Sequence, residues 1–334
     1  MSDIPSDPID ARLLGDWQRS LPLVPRPFAI LAQCLGVNEA DVIDRLERLR
    51  KAGAIARVGG VVRPNSVGAS TLAAIAAPDF ETSDFAAIIA QEPGVNHLYL
   101  RENVWNLWFV VTGPNRDHVT QTLERIERRT RLRVLDLELV QSYYIDLGFP
   151  LFHQETKYRE SAERAARSTA FRPEADDPDL IQALINGLPL ERRPFLKIAA
   201  ALGRTEASII TRLEQLLSAG VIRRIGVIVR HRALGWRSNA MVVWDVNPGR
   251  IDRAGAKLSE IPGVNLCYRR RRFEREWPYN LYCMVHAKTR ANAFKVITAA
   301  SEAARLTRCP RQILFSSRCF KQTGAMLTAP LEAA

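Results

Sequence analysis

His231 stands between Arg230 and Arg232. An imidazole with an ordinary pKa of ~6.5, flanked by two guanidiniums, suits giving a proton to something anionic near neutrality. Further on, Arg269, Arg270, Arg271 and Arg272 run together with Arg275 close behind, the densest charge run in the chain. On a strand, Arg269 and Arg271 face one way and Arg270 and Arg272 the other, so at least two can reach one anion by bidentate contacts. Tyr268, Trp277, Tyr279 and Tyr282 can stack on a flat ring, the Tyr279 hydroxyl can also meet a carboxylate, and His286 is a further titrating side chain. Each feature has a plainer reading: a loop histidine, a solvated basic hairpin, ordinary core aromatics, a satisfied mid-strand histidine.

An internal repeat weighs between these readings. Residues 22–68 align without gaps on residues 189–235 at an offset of 167, with about half the positions identical, far beyond chance. The likeness resumes at Glu92–Asn96 against Ile261–Asn265, and after a five-residue gain Asn106-Leu107-Trp108 meets Asn280-Leu281-Tyr282. Where the second copy has His231 and Arg232, the first has Pro64 and Asn65; where the second has the arginine run, the first has Leu100, Arg101 and Glu102; Thr112 answers His286. The first copy keeps the scaffold and lacks most of the basic chemistry. Its own unusual residues, His97, Tyr99, Arg101, Trp105 and Trp108, would form a lesser second site or line the same cavity.

Each copy opens with a short helix stopped by glycine (Phe28–Leu35, then Gly36) and a second helix over Glu39–Lys51. Asn38 caps that helix, Val42, Ile43, Leu46 and Leu49 give it an apolar stripe, and Gly53 ends it; Thr205 and Gly220 do the same in copy two. With β-rich Ile55–Arg63 following, this predicts a helix-turn-helix with a small wing. Strands at Ser70–Ala77, Asn96–Arg101, Val104–Thr112 and Arg131–Ser142, with helices at Ser83–Gln91 and Arg116–Thr130, give the order βαββαβ, a ferredoxin-like sandwich, repeated in copy two. The expected fold class is therefore α+β. Its domains are a helix-turn-helix at 10–65, a sandwich at 66–150, a charged linker at 151–179, a second helix-turn-helix at 180–232 and a second sandwich at 233–330 carrying the site. The two copies are expected to form an intramolecular pseudo-dimer with their sheets packed together.

This architecture resembles the leucine-responsive/asparagine regulators, and copy two is similar to the sirohaem decarboxylases, an enzymatic branch of that family. The stretches carrying the likeness are Gly220–Gly226, Val229–Trp236, Asn239–Val242, Pro262–Asn265, Cys267–Arg269 and, most specifically, Trp277-Pro278-Tyr279-Asn280-Leu281-Tyr282 with His286. Nearly the whole chain is covered, one subunit type per half, as in a fusion of two normally separate subunits. The resemblance implies a lyase that removes two acetate carboxyls from sirohaem without a cofactor. The product would be 12,18-didecarboxysirohaem, on a route to haem or haem d1, with iron arriving inside the substrate and no metal site of the protein's own. Such a reaction needs cations for a polyanion, an apolar wall that desolvates the departing carboxylate, and a proton donor. On this reading His231 and Tyr279 are catalytic, while Arg230, Arg232, Arg269, Arg270, Tyr268, Trp277 and His286 bind substrate.

Residues 1–150 hold 16 Lys and Arg against 19 Asp and Glu, a net −3, whereas residues 151–334 hold 31 against 17, a net +14. An anionic partner, nucleic acid or polycarboxylate, is thus expected at the second half. A DNA-binding regulator is the rival, but Glu39, Asp41, Asp44 and Glu47 on one recognition helix and Glu206 and Glu214 on the other oppose phosphate. Arg212 is the only base on the copy-two helix, whereas Arg45, Arg48, Arg50 and Lys51 further along the copy-one helix keep that reading open; a sensor that binds a tetrapyrrole or amino acid without chemistry is a third reading. Five cysteines in no CxxC pair predict reduced, mostly buried thiols and no locally ligated iron–sulfur cluster. The N-terminal residues lack a signal-peptide core and no run reaches a membrane span, so the cytoplasm is the expected compartment. Further self-association, or association with other haem-pathway proteins, stays open.

Overall fold

A computed structural model describes residues 7–145, 148, 174–273 and 275–328. The chain divides into two compact units, and each takes a piece from both copies: residues 1–67 with 148–235, and residues 68–147 with 236–334.

The first unit holds the helix-turn-helix segments. In copy one these are α1 (Pro8–Gly15), α2 (Pro27–Leu35), α3 (Glu39–Lys51) and β1 (Ile55–Val62). Asn38 caps α3 by accepting from the Asp41 amide at 2.8 Å, and Gly36 ends α2 at φ 71°, as the sequence predicts. Its stripe of Val42, Leu46 and Leu49 is buried. Copy two repeats the set as α6 (Asp177–Asn186), α7 (Pro194–Ala201), α8 (Glu206–Ser218) and β6 (Ile222–Val229). Most of the expected linker, 151–179, lies outside the described residues, but its last residues already belong to α6.

The wings are not separate. β1 and β6 pair antiparallel with Gly59 opposite Gly226, its own repeat counterpart, so a pseudo-twofold axis passes through that pair. Both glycines are required by close approach. A Cβ on Gly59 would lie 2.5 Å from the Leu184 carbonyl oxygen, and one on Gly226 would fall on the Trp17 carbonyl. Trp17 and Leu184, at the ends of α1 and α6, are themselves repeat counterparts.

The second unit is a closed eight-stranded barrel. Copy one supplies β2 (Ala69–Ile75), α4 (Thr82–Ala90), β3 (Val95–Arg101), β4 (Leu107–Gly113), α5 (Arg116–Thr130) and β5 (Leu135–Ile145). Copy two supplies β7 (Ser238–Trp244), α9 (Pro248–Glu260), β8 (Val264–Arg270), β9 (Leu281–Ala287), α10 (Arg290–Ala303) and β10 (Arg311–Gln322). This is βαββαβ twice, in the strand order β10-β3-β4-β2-β5-β8-β9-β7.

Closure depends on the two long last strands. Leu135–Glu138 of β5 pair with β2 and Leu139–Ile145 with β8, while Arg311–Phe315 of β10 pair with β7 and Ser316–Gln322 with β3. Each copy thus completes the other's edge, which removes the exposed strand edges of an isolated sandwich. Separate cores lie between each sheet and its own helices. A third, with Trp108, Leu135, Leu137, Met241, Val243, Trp277, Tyr282 and Leu314, joins the inner faces of both sheets. The sheets do pack together, and their edges are also hydrogen-bonded.

None of the five cysteines is in a disulfide. Cys267 and Cys283 are buried, but Cys34 is exposed and Cys309 and Cys319 are half-buried, which corrects the expectation of mostly buried thiols. No helix among the described residues is long and apolar enough to cross a membrane.

Candidate functional site

In the first unit, β6 ends at Val229 and a 3-10 turn, His231–Leu234, begins two residues on. The Arg230 amide donates to the Ala54 carbonyl at 2.8 Å, anchoring the start of the turn, and Gly235 closes it in the left-handed region at φ 88°. His231 is buried, Arg230 exposed and Arg232 half-buried. The Arg232 Nη1 is buried and without a hydrogen-bond partner among the described residues. A solvated loop histidine would be exposed; this one is buried at the start of the turn.

The recognition helices of that unit are occupied internally. Arg45 donates to Asp7 and Asp10, both at 2.8 Å, and to Asp41 at 3.0 Å. Its repeat counterpart Arg212 makes a buried bidentate pair with Asp177, both bonds 2.7 Å, and contacts Glu174 at 2.9 Å. Asp7 and Asp10 align with Glu174 and Asp177, so the same acidic helix start neutralises the same arginine twice. Two of the basic side chains that kept DNA binding open are committed to carboxylates.

In the second unit the pleat separates the arginine run. Arg269 lies 3.8 Å from Asp252 of α9, and Asp252 also accepts from the Tyr143 hydroxyl at 2.6 Å; burial, then this bond, raises the Tyr143 pKa. Arg270 turns the other way, into the barrel. It donates to the Leu137 carbonyl at 2.9 Å and lies over the rings of Tyr268 and Tyr282, at 5.2 and 5.9 Å. Arg269 and Arg270 therefore occupy opposite faces, as the alternation along the strand predicts, and meet different surroundings. Burial lowers the Arg270 pKa, and among the described residues it makes no ion pair with a carboxylate. A cation in that setting is costly unless an anion reaches it.

Trp277 is 2% exposed, inside the barrel, 5.1 Å from Trp108 and edge-on to Tyr279 at 4.9 Å. Its indole N–H donates to the Tyr282 hydroxyl at 2.7 Å, which in turn donates to the Tyr279 carbonyl. Burial raises the Tyr282 pKa, partly offset by the Trp277 bond, so this phenol stays protonated. Trp277 is thus interior packing, not an open stacking face, whereas Tyr279 and Tyr268 are half-buried.

His286 is buried and held at both nitrogens: Nε2 lies 2.7 Å from Asn239 Nδ2, and Nδ1 lies 3.1 Å from Asn265 Oδ1. In copy one, Arg101 is buried over the Tyr99 ring and donates to the Leu314 carbonyl at 3.0 Å and to Asn239 at 3.3 Å. Tyr99 also lies against His97, with ring centroids 6.3 Å apart. Trp108 is core, its N–H donated to the Trp105 carbonyl, and Trp105 is half-buried. The residues missed from sequence are Asn239 and Asn265. One signal was present: Asn239 and His286, in register across β7 and β9, replace Ser70 and Thr112, also in register across β2 and β4. No group of His, Cys, Asp and Glu among the described residues could hold a metal ion.

Comparison with known proteins agrees with this organisation. The family model for the AsnC-like ligand binding domain matches residues 67–143 and 233–321, and that for the siroheme decarboxylase NirDL-like HTH domain matches residues 10–55 and 177–223. The siroheme decarboxylase NirDL subunit of Paracoccus denitrificans (strain Pd 1222) is 48% identical over 96% of this chain and 98% of its own. The NirL subunit of Stutzerimonas stutzeri, a separate chain, is 40% identical over 46% of this chain and 89% of its own. A crystal structure of the siroheme decarboxylase NirDL with an iron-uroporphyrin III analogue superposes with a TM-score of 0.61 at 26% identity, covering 95% of this chain and 92% of that one. The chain belongs to the siroheme decarboxylase family, in its fused NirDL form.

Proposed function

We propose that this protein removes two acetate carboxyl groups from sirohaem to give 12,18-didecarboxysirohaem. The observation that carries this reading is Arg270, a half-buried arginine lying over the rings of Tyr268 and Tyr282 and making no ion pair with a carboxylate among the described residues. It suits a flat polyanion that brings its own carboxylates. The relative crystallised with an iron-uroporphyrin III analogue binds a ligand of that kind.

Each turnover breaks one C–C bond, releases CO₂ and leaves an electron pair on the ring-side carbon, which then takes one proton. The conjugated macrocycle can share that pair, so the reaction is proposed to need no organic cofactor and no metal beyond the substrate's iron. Arg270 is assigned to a substrate carboxylate, Tyr268 and Tyr279 to the ring or its substituents, and Arg101 to a lining cation of copy one. His231, with Arg230 and Arg232 beside it, is assigned proton delivery. Trp277 and Trp108 support the barrel, and Arg269 acts at most through the Tyr143–Asp252 cluster.

Anaerobic incubation with reduced and with oxidised sirohaem, followed by mass analysis, tests the reading. Loss of two CO₂ from the product is expected. Binding without mass change would leave a sensor, and full turnover by a His231→Ala variant would remove His231 from the mechanism.

A further inference from the structure

Cys267 and Cys283 stand opposite each other in the register of β8 and β9. The Arg270 main-chain amide donates to the Asn280 carbonyl at 2.9 Å, which makes Arg270 and Asn280 a hydrogen-bonded pair. By alternation Tyr268 and Tyr282 are another, and Cys267 and Cys283 are the non-hydrogen-bonded pair next to them. Residues paired in this way stand about 4.5 Å apart at Cα, with their side chains on one face. That separation lies inside the roughly 4.4–6.8 Å that a disulfide spans. Both cysteines belong to the core between the copy-two sheet and its helices. The same pair in copy one is Leu98 opposite Phe109, two ordinary core residues. Two apolar side chains of one half are thus two thiols in the other, at matched positions and in register.

We infer that Cys267 and Cys283 are an oxidisable dithiol, closed into a cross-strand disulfide by hydrogen peroxide, and that closure slows the enzyme. One sulfur attacks the peroxide, forming an S–O bond and breaking O–O, and a water leaves. The second sulfur displaces the new hydroxyl, forming S–S and breaking S–O, and a second water carries off the remaining thiol proton. Two thiols are oxidised to one disulfide, and one peroxide is reduced to two waters. A resolving thiol directly opposite captures the sulfenic acid before it is oxidised further. Burial slows both thiols, which favours a peroxide, close to water in size, over a bulky disulfide. On the helix side the Cys267 thiol donates to the Gly255 carbonyl of α9 at 3.6 Å, and a Cβ on Gly255 would fall on the ring of half-buried Tyr143. On the other face of the same strands, Arg270 lies over the Tyr268 and Tyr282 rings. Closing the bond pulls on the strands one residue from that tyrosine pair, and small displacements of positioning groups cost rate steeply. The effect on rate rests on the reading of Arg270 as a substrate cation.

The test exposes the full chain to hydrogen peroxide, removes the excess with catalase, blocks remaining thiols with iodoacetamide and maps the peptides by mass. Tryptic peptides 258–269 and 276–288 should appear joined, lighter than their sum by two hydrogens, and should separate with dithiothreitol. Sirohaem turnover should fall about fivefold or more on oxidation and return on reduction. Cys283→Ala should keep its untreated rate after peroxide. A chain carrying Cys34→Ser, Cys309→Ser and Cys319→Ser together should respond as the wild type does. Unjoined peptides under conditions that oxidise exposed Cys34, joined peptides with unchanged turnover, or a Cys283→Ala variant as sensitive as wild type would each overturn the inference. If the untreated protein fails to decarboxylate sirohaem, the functional reading falls, and the peptide map still decides the dithiol.

Discussion

The two halves of the barrel are built alike and equipped differently. Asn106 grips the main chain of Ala77 with both ends of its amide, and Asn280 grips Val246 in the same way. Arg101 lies over Tyr99 and Arg270 over Tyr268, each donating to a carbonyl of the other copy's last strand near the point where that strand changes partners. The halves part at Thr112 and His286. Thr112 sits by the Gly94 carbonyl and accepts from the Met326 amide, so the C-terminal tail crosses the copy-one position that in copy two holds an imidazole. Features present twice are scaffold, and features that changed together, in register, in one half mark where chemistry was added or given up.

The sharpest way to break that distinction is to exchange the paired arginines one at a time. Arg270→Met should lower sirohaem turnover by about a hundredfold to a thousandfold, the scale of losing a charged donor to a reacting group. It should leave thermal stability unchanged or raised, since a buried cation without a carboxylate partner is replaced by a side chain suited to the core. Arg101→Met should cost less activity but about 1–3 kcal/mol of stability, because Asn239 Oδ1 is left buried without its donor. Denaturant melts alongside steady-state kinetics separate the two outcomes, and identical profiles for both variants would dissolve the contrast.

The helix-turn-helix unit offers the same comparison in stability alone. Asp177 and Arg212 have side chains only 3% and 7% exposed, against 15% and 14% for Asp10 and Arg45. Asp177→Asn removes the buried bidentate carboxylate and leaves Arg212 the more exposed Glu174, so it should destabilise by about 3 kcal/mol. Asp10→Asn leaves Arg45 with two other carboxylates nearer water and should cost under about 1 kcal/mol. Equal losses would mean that the two arginine clusters are equivalent after all.

Much of this was legible in the residues, because it is local. Caps, glycine stops, the 3.6-residue stripes and the βαββαβ order each depend on neighbours in the chain. Pairing of the two wings through Gly59 and Gly226 was not legible, since a glycine pair reads equally as a flexible wing tip until Leu184 and Trp17 are seen lying across it. The helix α1 was missed although Asp7 and Pro8 are good start signals, because eight residues carry too little periodicity. At the candidate site, alternation along β8 already separated Arg269 from Arg270, but which face looked into the barrel depended on Asp252 and Leu137, both distant in sequence. The sequence presents Trp277 as a stacking face because its motif stands out, and the same motif contains Asn280, whose role copy one shares.

Shared scaffold predicts shared cost. Asn106→Ala and Asn280→Ala each leave a main-chain N–H and C=O of the turn without partners, so each should destabilise by about 2 kcal/mol, and by similar amounts. A much larger loss for one would show that the amide clamps are not equivalent.

The smallest effect expected is a pH dependence in copy one. The hydrogen bond from Arg45, ahead of the opposing effect of burial, holds the Asp7 carboxyl below its ordinary value of 3.8. A depressed carboxylate favours the native state above its unfolded pKa, and that contribution is lost as pH falls through the native one. Asp7→Asn should therefore change stability near neutrality only slightly, because the carboxylate is solvent-screened, and the difference from wild type should vanish at still lower pH. Urea melts of wild type and Asp7→Asn stepped from pH 6 down to 3 would resolve the trend, and a difference that stayed constant across that range would remove the Asp7–Arg45 bond as its cause.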